Sequence, residues 1–529
     1  MHFSILSKFN LLFFSILFDT PPNILSKGKA KEGGNIFDSG SQSGIAISIL
    51  VKNRDMFKDG IAKIHYFDIG DNLSVDQKKE KISNFSSISN INWNLVEPDE
   101  FHDWIGHRDT SFLNHSSIGD KKNSNGLFLN YSRGIMTSKD AWLHNFNQSK
   151  LNINVKSMID FYNSELERAK LFDNSQPLKE LERLLNHDAT KIGWDGELKT
   201  KCIKSKKLDF SSKFTNKALY RPFTKNWYYF EKNINLRLYQ MPNFYPDISI
   251  ENKSIILSGV GARAGFSVLI TDHISDLHAL DTSQTFPLYI YEEVTQEKSV
   301  GLGDLFDNSL DLTVSETKYE RKDGISDEGL QHFQAAYPSE QITKEDIFYY
   351  TYGLLHSEEY RERYADNLTK ELPRIPCVKK AEDFWAFSKA GRDLAHWHLN
   401  YETVEKYTAT LDTGSTAYNQ LTDEDFYVEK MKFAKKGEKG TVIYNKRITV
   451  KDIPVEAYDY VVNGKPALEW VMERQGVSTH KDSGIVNDAN DWAIETMNNA
   501  AYPLELFLRV VTVSLETMKI VKSLPKLDI

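Results

Sequence analysis

Apolar positions follow three rhythms along this chain, and each rhythm predicts a different element. Residues 9–18 form a continuous apolar run with Lys8 ahead of it. The run is shorter than the ~20 apolar residues a membrane-crossing helix needs, and Asp19-Thr20-Pro21-Pro22 supplies no small-residue cleavage site. It reads as a buried strand or as a short leader. Residues 44–51 are again continuously apolar and predict a strand covered on both faces of a sheet. Residues 62–68 alternate and predict the next strand, 76–85 a charged helix, and Trp93, Phe101 and Trp104 an aromatic cluster.

The helical rhythm takes over later. Met158, Ile159, Tyr162, Leu166 and Ala169 recur at intervals of three and four, predicting a helix over 155–185 that Pro177 interrupts. Residues 342–372 predict one long helix, with Thr343 capping, Asp346 three residues on, and Leu372 closing before Pro373. After a turn at 374–376, residues 383–399 predict a second helix, with Phe384, Phe387, Leu394 and His398 inward and Lys389 and Arg392 outward. Short strands are predicted at 254–257 and 287–291, and the polar, acidic stretch 292–329 predicts an exposed, irregular insertion. The remainder reads as a basic turn at 435–440, an alternating strand over 441–450, a helix ending at Arg474, a polar loop at 481–488 and a closing helix over 502–522.

Composition changes this picture little. The 529 residues are 40% apolar and 26% charged, ordinary for a soluble chain. Cys202 and Cys377 give neither a zinc spacing nor a disulfide framework, which fits a reducing cytoplasm. Charge is more informative. The chain is acidic, with a formal net charge of -9, yet the eleven lysines and arginines from Lys199 to Arg237 face only Asp209 and Glu231. This is a solvated lysine-rich loop or a patch that tracks phosphates, and the interleaved aromatics favour the second. On that reading Lys213, Lys217, Arg221, Lys225 and Arg263 hold phosphate. Asn226, Arg237, Thr282 and Gln284 read base edges, and Trp227 or Tyr228 packs beneath or stacks.

Other motifs fail on spacing. Gly259-Val-Gly-Ala-Arg-Ala-Gly265 matches neither the dinucleotide pattern nor a P-loop, so it reads as a tight loop with Arg263 at its tip. Asp304 with Glu316-Thr-Lys318 mimics a metal-dependent nuclease, a pattern short enough to arise by chance in a charged loop. His356, His396 and His398 have no carboxylate or cysteine at ligand spacing and read as core or cap histidines. An Asn/Asp-Pro-Pro-Tyr/Phe loop for a flipped adenine is absent, since Pro21-Pro22-Asn23 runs in the wrong order.

Two runs carry a family resemblance: Tyr220-Arg-Pro-Phe-Thr-Lys-Asn-Trp-Tyr-Tyr-Phe230, and Asp276-Leu-His-Ala-Leu280 with Phe286-Pro-Leu-Tyr289. They resemble the C-terminal specificity region of type ISP restriction–modification enzymes. Segments 132–146 and 352–361, with Leu372-Pro-Arg-Ile-Pro376, extend the likeness from about Lys27 to the end. In that family one long polypeptide joins a nuclease, a translocase, an adenine methyltransferase and a target-recognition domain.

The resemblance implies an α/β partial methyltransferase (Rossmann-like) sheet followed by an α+β target-recognition domain with a helical hairpin. The implied divisions are a leader at 1–25, a methyltransferase remnant at 26–150, a helical connector at 151–200, target recognition at 201–440 and a C-terminal strand–helix segment at 441–529. Double-stranded DNA is the implied partner, in the cytoplasm and without a membrane. S-adenosylmethionine, ATP and Mg belong to the full-length family, with no catalytic, cofactor or metal residues expected in this chain. Two alternatives stand beside this reading. One is a subunit of a split adenine methyltransferase, completed by a separate polypeptide. The other is a non-functional fragment of a disrupted gene.

Overall fold

Strand-length apolar runs pair early in the chain. The computed structural model describes residues 11–17, 46–52, 63–70, 73–121, 126–172, 175–294 and 318–529. Leu11–Leu17 is an inner strand, antiparallel to Ala46–Lys52 and parallel to Lys63–Asp68, which pairs antiparallel with Asn94–Val96. The sheet is therefore mixed. Ala46–Lys52 lies at its edge with Ile47 and Leu50 exposed, so the expected cover on both faces is not met among the described residues. Apolar continuity marks a strand that seeks cover; it does not say which neighbour provides it. The helix Val75–Phe85 opens on a Ser74/Gln77 capping box. Trp93 packs edge-on to Phe67, while Phe101 lies under the Arg108 guanidinium, so the expected aromatic cluster divides.

Two four-stranded sheets form the centre. One runs Val268–Thr271, Ser254–Leu257, Gln284–Pro287, Ser132–Arg133, antiparallel throughout. The other runs Ile274–Ser275, Thr215–Arg221, Thr224–Tyr229, His144–Asn145. The same two chain segments thread both sheets: 132–145 and 274–287 each begin in one and finish in the other. A backbone bridge between Ile135 and Asp276 ties them midway. The helix expected from Asp140 is a single turn, Asp140–Leu143, because the chain turns straight into the His144–Asn145 strand. Gln148–Ala169 then packs Leu151, Val155, Met158 and Tyr162 into a core with Tyr228 and Tyr229, and Leu178–Leu184 follows Pro177.

The helix expected over 342–372 is three helices: Lys344–Leu354, Glu358–Arg363 and Ala365–Lys370. Ser357 accepts from the Tyr360 amide and caps the second, a local alternative to continued helix that the apolar period did not register. Thr343 and Asp346 do form the predicted capping box. Ala381–Leu399 lies across Lys344–Leu354 so closely that a Cβ on Gly391 would collide with the Tyr349 carbonyl oxygen. His398 is buried between the Tyr352 hydroxyl (2.5 Å) and Thr517 (2.9 Å), and His356 is buried beside it, while His396 is exposed near the helix end.

The insertion expected over 292–329 is corrected at its second half. Lys318–Asp323 pairs with Tyr289–Val294, and Asp327–Ala336 is a helix that buries Gly329 and Phe333. Cross-strand pairing supplies order that charge alone masked. Asp304 and Glu316 lie outside the described residues. The strand expected over 441–450 is two, Glu438–Ile443 and Thr449–Lys451, in a sheet closed by the helix Tyr502–Lys522.

Candidate nucleic-acid interface

Pairing of Gln284 with Arg133 across an antiparallel register sets two side chains of recognition type beside each other on one sheet. They line a concavity of about 600 Å³ whose other walls include Lys121, Tyr239, Gln240 and Thr282. Each wall has a visible reason. Gln240 is held to the sheet edge by its backbone N–H donating to Ser132 Oγ (3.0 Å). Lys121 sits 4.4 Å over the Tyr131 ring, which itself stacks on Phe286. Burial and the Arg133 charge push the Lys121 ammonium's pKa down.

Thr282 is exposed at φ +52°, a left-handed conformation costly for a β-branched residue. Its neighbour across the rim must be glycine: a Cβ on Gly259 would lie 2.6 Å from the Thr282 carbonyl oxygen. Tyr239, on the opposite wall, is also left-handed at φ +50°. The glycine-rich loop joins Ser254–Leu257 to Val268–Thr271 as a hairpin, and Arg263 on it is 85% exposed, 3.4 Å from Asp281. Arg237, exposed and paired to Glu197, stands two residues before Tyr239 and bonds through its backbone to Met136. Lys121 and Arg133, Gln240 and Gln284, the Thr282 hydroxyl and the Tyr239 ring thus line one concavity. Cations can hold phosphate and amides can grip an adenine edge.

The other expected residues go elsewhere. Thr215–Arg221 and Thr224–Tyr229 are paired strands, so alternate side chains turn inward. Arg221 is buried against Asp276 (2.7 Å) and Asp140 (3.6 Å). Lys225, its side chain 9% exposed, meets Glu402 at 2.9 Å and Asp272 at 3.9 Å. Asn226 is fully buried and holds His144. Lys217 and Trp227 line a separate cleft of about 1000 Å³ that also contains Asp247, Glu251, Asp272 and Glu345, and Trp227 donates to Thr496. Lys213 is exposed over Phe214. The basic run is therefore not one cationic face. Carboxylates remote in sequence neutralise part of it. Lys121, Arg133, Tyr239 and Gln240 were not singled out from the sequence; only long-range pairing brings them to the rim.

A family model described as the Type ISP C-terminal specificity domain matches residues 126–506. The chain belongs to this family. Among solved structures, the Type ISP specificity domain described here is similar to a nuclease-deletion mutant of the Type ISP restriction-modification enzyme LlaGI in complex with a DNA substrate mimic. That likeness has 34% identity and TM-score 0.82 over 99% of this chain and 38% of that one. It is also similar to the ATP-dependent Type ISP enzyme LlaBIII bound to DNA, with 32% identity and TM-score 0.83 over 100% of this chain and 31% of that one. A DrdV–DNA complex matches with 28% identity and TM-score 0.77 over 97% of this chain and 47% of that one. This Type ISP chain spans less than half the length of each. Comparison with curated proteins found no match.

The glycine-rich loop of this Type ISP domain does not fit a nucleotide phosphate: it joins two antiparallel strands, with no helix N-terminus to face the anion. No helix among the described residues is long and apolar enough to cross a membrane.

Proposed function

We propose that this chain reads a base sequence in duplex DNA as the specificity portion of a Type ISP restriction–modification enzyme, without a complete catalytic site of its own. The observation that carries the reading is the rim where Arg133, Gln284 and the strained Thr282 meet around one concavity. Lys121, Arg133, Arg237 and Arg263 hold phosphates, with Lys213 a flanking contact. Gln284, Gln240 and Thr282 read base edges. Arg221, Lys225 and Asn226 hold the frame that presents them. S-adenosylmethionine, ATP and Mg are bound by parts of the enzyme outside this chain, in the cytoplasm. The DNA-bound relatives named above support the duplex as ligand.

The first sheet is the edge of a methyltransferase-type sheet in this reading. Exposed Ile47, Leu50 and Leu95 on it favour a second reading alongside, in which a methyltransferase polypeptide docks there and completes an adenine methyltransferase. The test is selection of the purified chain against a randomised duplex, followed by fluorescence anisotropy. One enriched sequence should bind at least ~10³-fold tighter than unrelated duplex. Equal affinity for all duplexes would remove the recognition role.

A further inference from the structure

We propose that Asp140, His144 and Asp276 form a structural site for one divalent transition-metal ion of the zinc class. The three residues arrive from the segments that thread both central sheets. Asp140 opens the single-turn helix, His144 follows four residues later, and Asp276 faces them from the strand bridged to Ile135. One ligand atom from each lies within 4.8 Å of the others.

The histidine is already oriented as a ligand. His144 Nδ1 lies 3.0 Å from Asn226 Oδ1, and with Nδ1 donating to that oxygen a neutral ring turns its Nε2 lone pair toward the carboxylates. This is the outer-shell arrangement that fixes metal-ligating histidines. Nε2 is buried and has no hydrogen-bond partner among the described residues. It faces Asp276 Oδ2 at 3.8 Å, with the two side chains 1% and 2% exposed. With Nε2 unprotonated, two electron-rich atoms confront each other in a dry space, and a cation between them would offset both. With Zn–N and Zn–O bonds of about 2.1 Å, an ion bridging this gap would subtend ~130°, slightly wider than tetrahedral.

Arg221 does not block the position. It donates to Asp276 Oδ1, the other oxygen, and reaches Asp140 Oδ2 at 3.6 Å. Thr137 donates to Asp140 Oδ1 and the Tyr220 hydroxyl lies 3.4 Å from Oδ2, so the third ligand is anchored as well. Two carboxylates against one guanidinium leave a negative charge that a cation offsets. Asp140 is 35% exposed, which gives the ion a route in from solvent. A bound ion would pin the segment carrying Arg133 to the segment carrying Gln284.

The test uses the full chain purified without immobilised metal, equilibrated with zinc and passed through a metal-free column. Mass spectrometry should find about one equivalent of zinc, and zinc should raise the melting temperature. His144→Phe keeps a ring between Tyr220 and Tyr228 but offers no nitrogen, and Asp140→Asn weakens the open ligand. Each should lose the retained zinc and its thermal shift while keeping the wild-type circular dichroism. If His144→Phe fails to fold, Asp140→Asn decides alone. Zinc retained equally by Asp140→Asn would place the ion elsewhere and overturn the proposal. So would a wild-type chain that retains none and whose His144 shows a protonated Nε2 by ¹⁵N NMR, since a proton would then fill the gap.

Discussion

Salt dependence of DNA binding separates the rim cations from those locked inside. Arg133 is exposed, with no ion pair among the described residues, and Arg263 is 85% exposed beside Asp281. Exposed pairs such as Arg263–Asp281 and Arg237–Glu197 are screened by water and weak, so phosphate can displace the carboxylate. Each phosphate neutralised contributes about −0.9 to the slope of log K against log salt, so the four proposed contacts Lys121, Arg133, Arg237 and Arg263 give roughly −3.6. Raising salt from 50 to 200 mM should then weaken the wild type about 150-fold, and Arg133→Gln/Arg263→Gln only about 12-fold. Lys217→Gln, in the mixed-charge cleft, should leave the slope unchanged. Fluorescence anisotropy across five salt concentrations reads both quantities. An unchanged slope in the double variant, or a reduced one in Lys217→Gln, would show that the rim is not where the backbone lies.

Three further outcomes are expected. Gln284→Ala should relax discrimination at one base position by ~1–3 kcal/mol, measured by competition with single-substituted duplexes, while leaving the salt slope intact. Lys139→Met should destabilise the fold by ~3–5 kcal/mol in urea, because Lys139 pairs with Asp195 at the helix start and both side chains are almost wholly buried. Acid should also destabilise the helical hairpin. Burial pushes His398 down to about 3 and His356 well below its ordinary value, so the unfolded chain takes up the protons first. The stability they contribute is whole above pH ~6.5 and falls below it by ~1.4 kcal/mol per unit for each histidine. Urea midpoints between pH 7 and 5 test this: half the slope would mean that one of them is charged in the fold, and a flat profile that neither stays neutral there.

The sequence was most legible where one element's own pattern settles its state. The Thr343–Asp346 capping box, the closing helix Tyr502–Lys522 and the inward faces of Phe384, Phe387, Leu394 and His398 follow from local spacing and burial alone. Family membership was legible for the same reason, because the runs at 220–230 and 276–289 are contiguous. The site was not. Arg221 and Lys225 look like free cations until Asp276, Asp140 and Glu402 arrive from far along the chain. Arg133 has no distinction until a strand pairing sets it opposite Gln284. Long-range register decides both cases, and nothing within a local window encodes it.

That rim is built from separate stretches, Lys121 with 131–133, 239–240, 259–260 and 282–284. On the proposed reading, the specificity of this chain does not move as a single cassette. A chimera that transplants only the 282–284 turn from a relative would set a foreign Thr282 counterpart against the native Gly259, where the approach leaves no slack. Productive grafts will move all four stretches together, or confine themselves to single side chains such as Gln284 whose backbone can stay as it is.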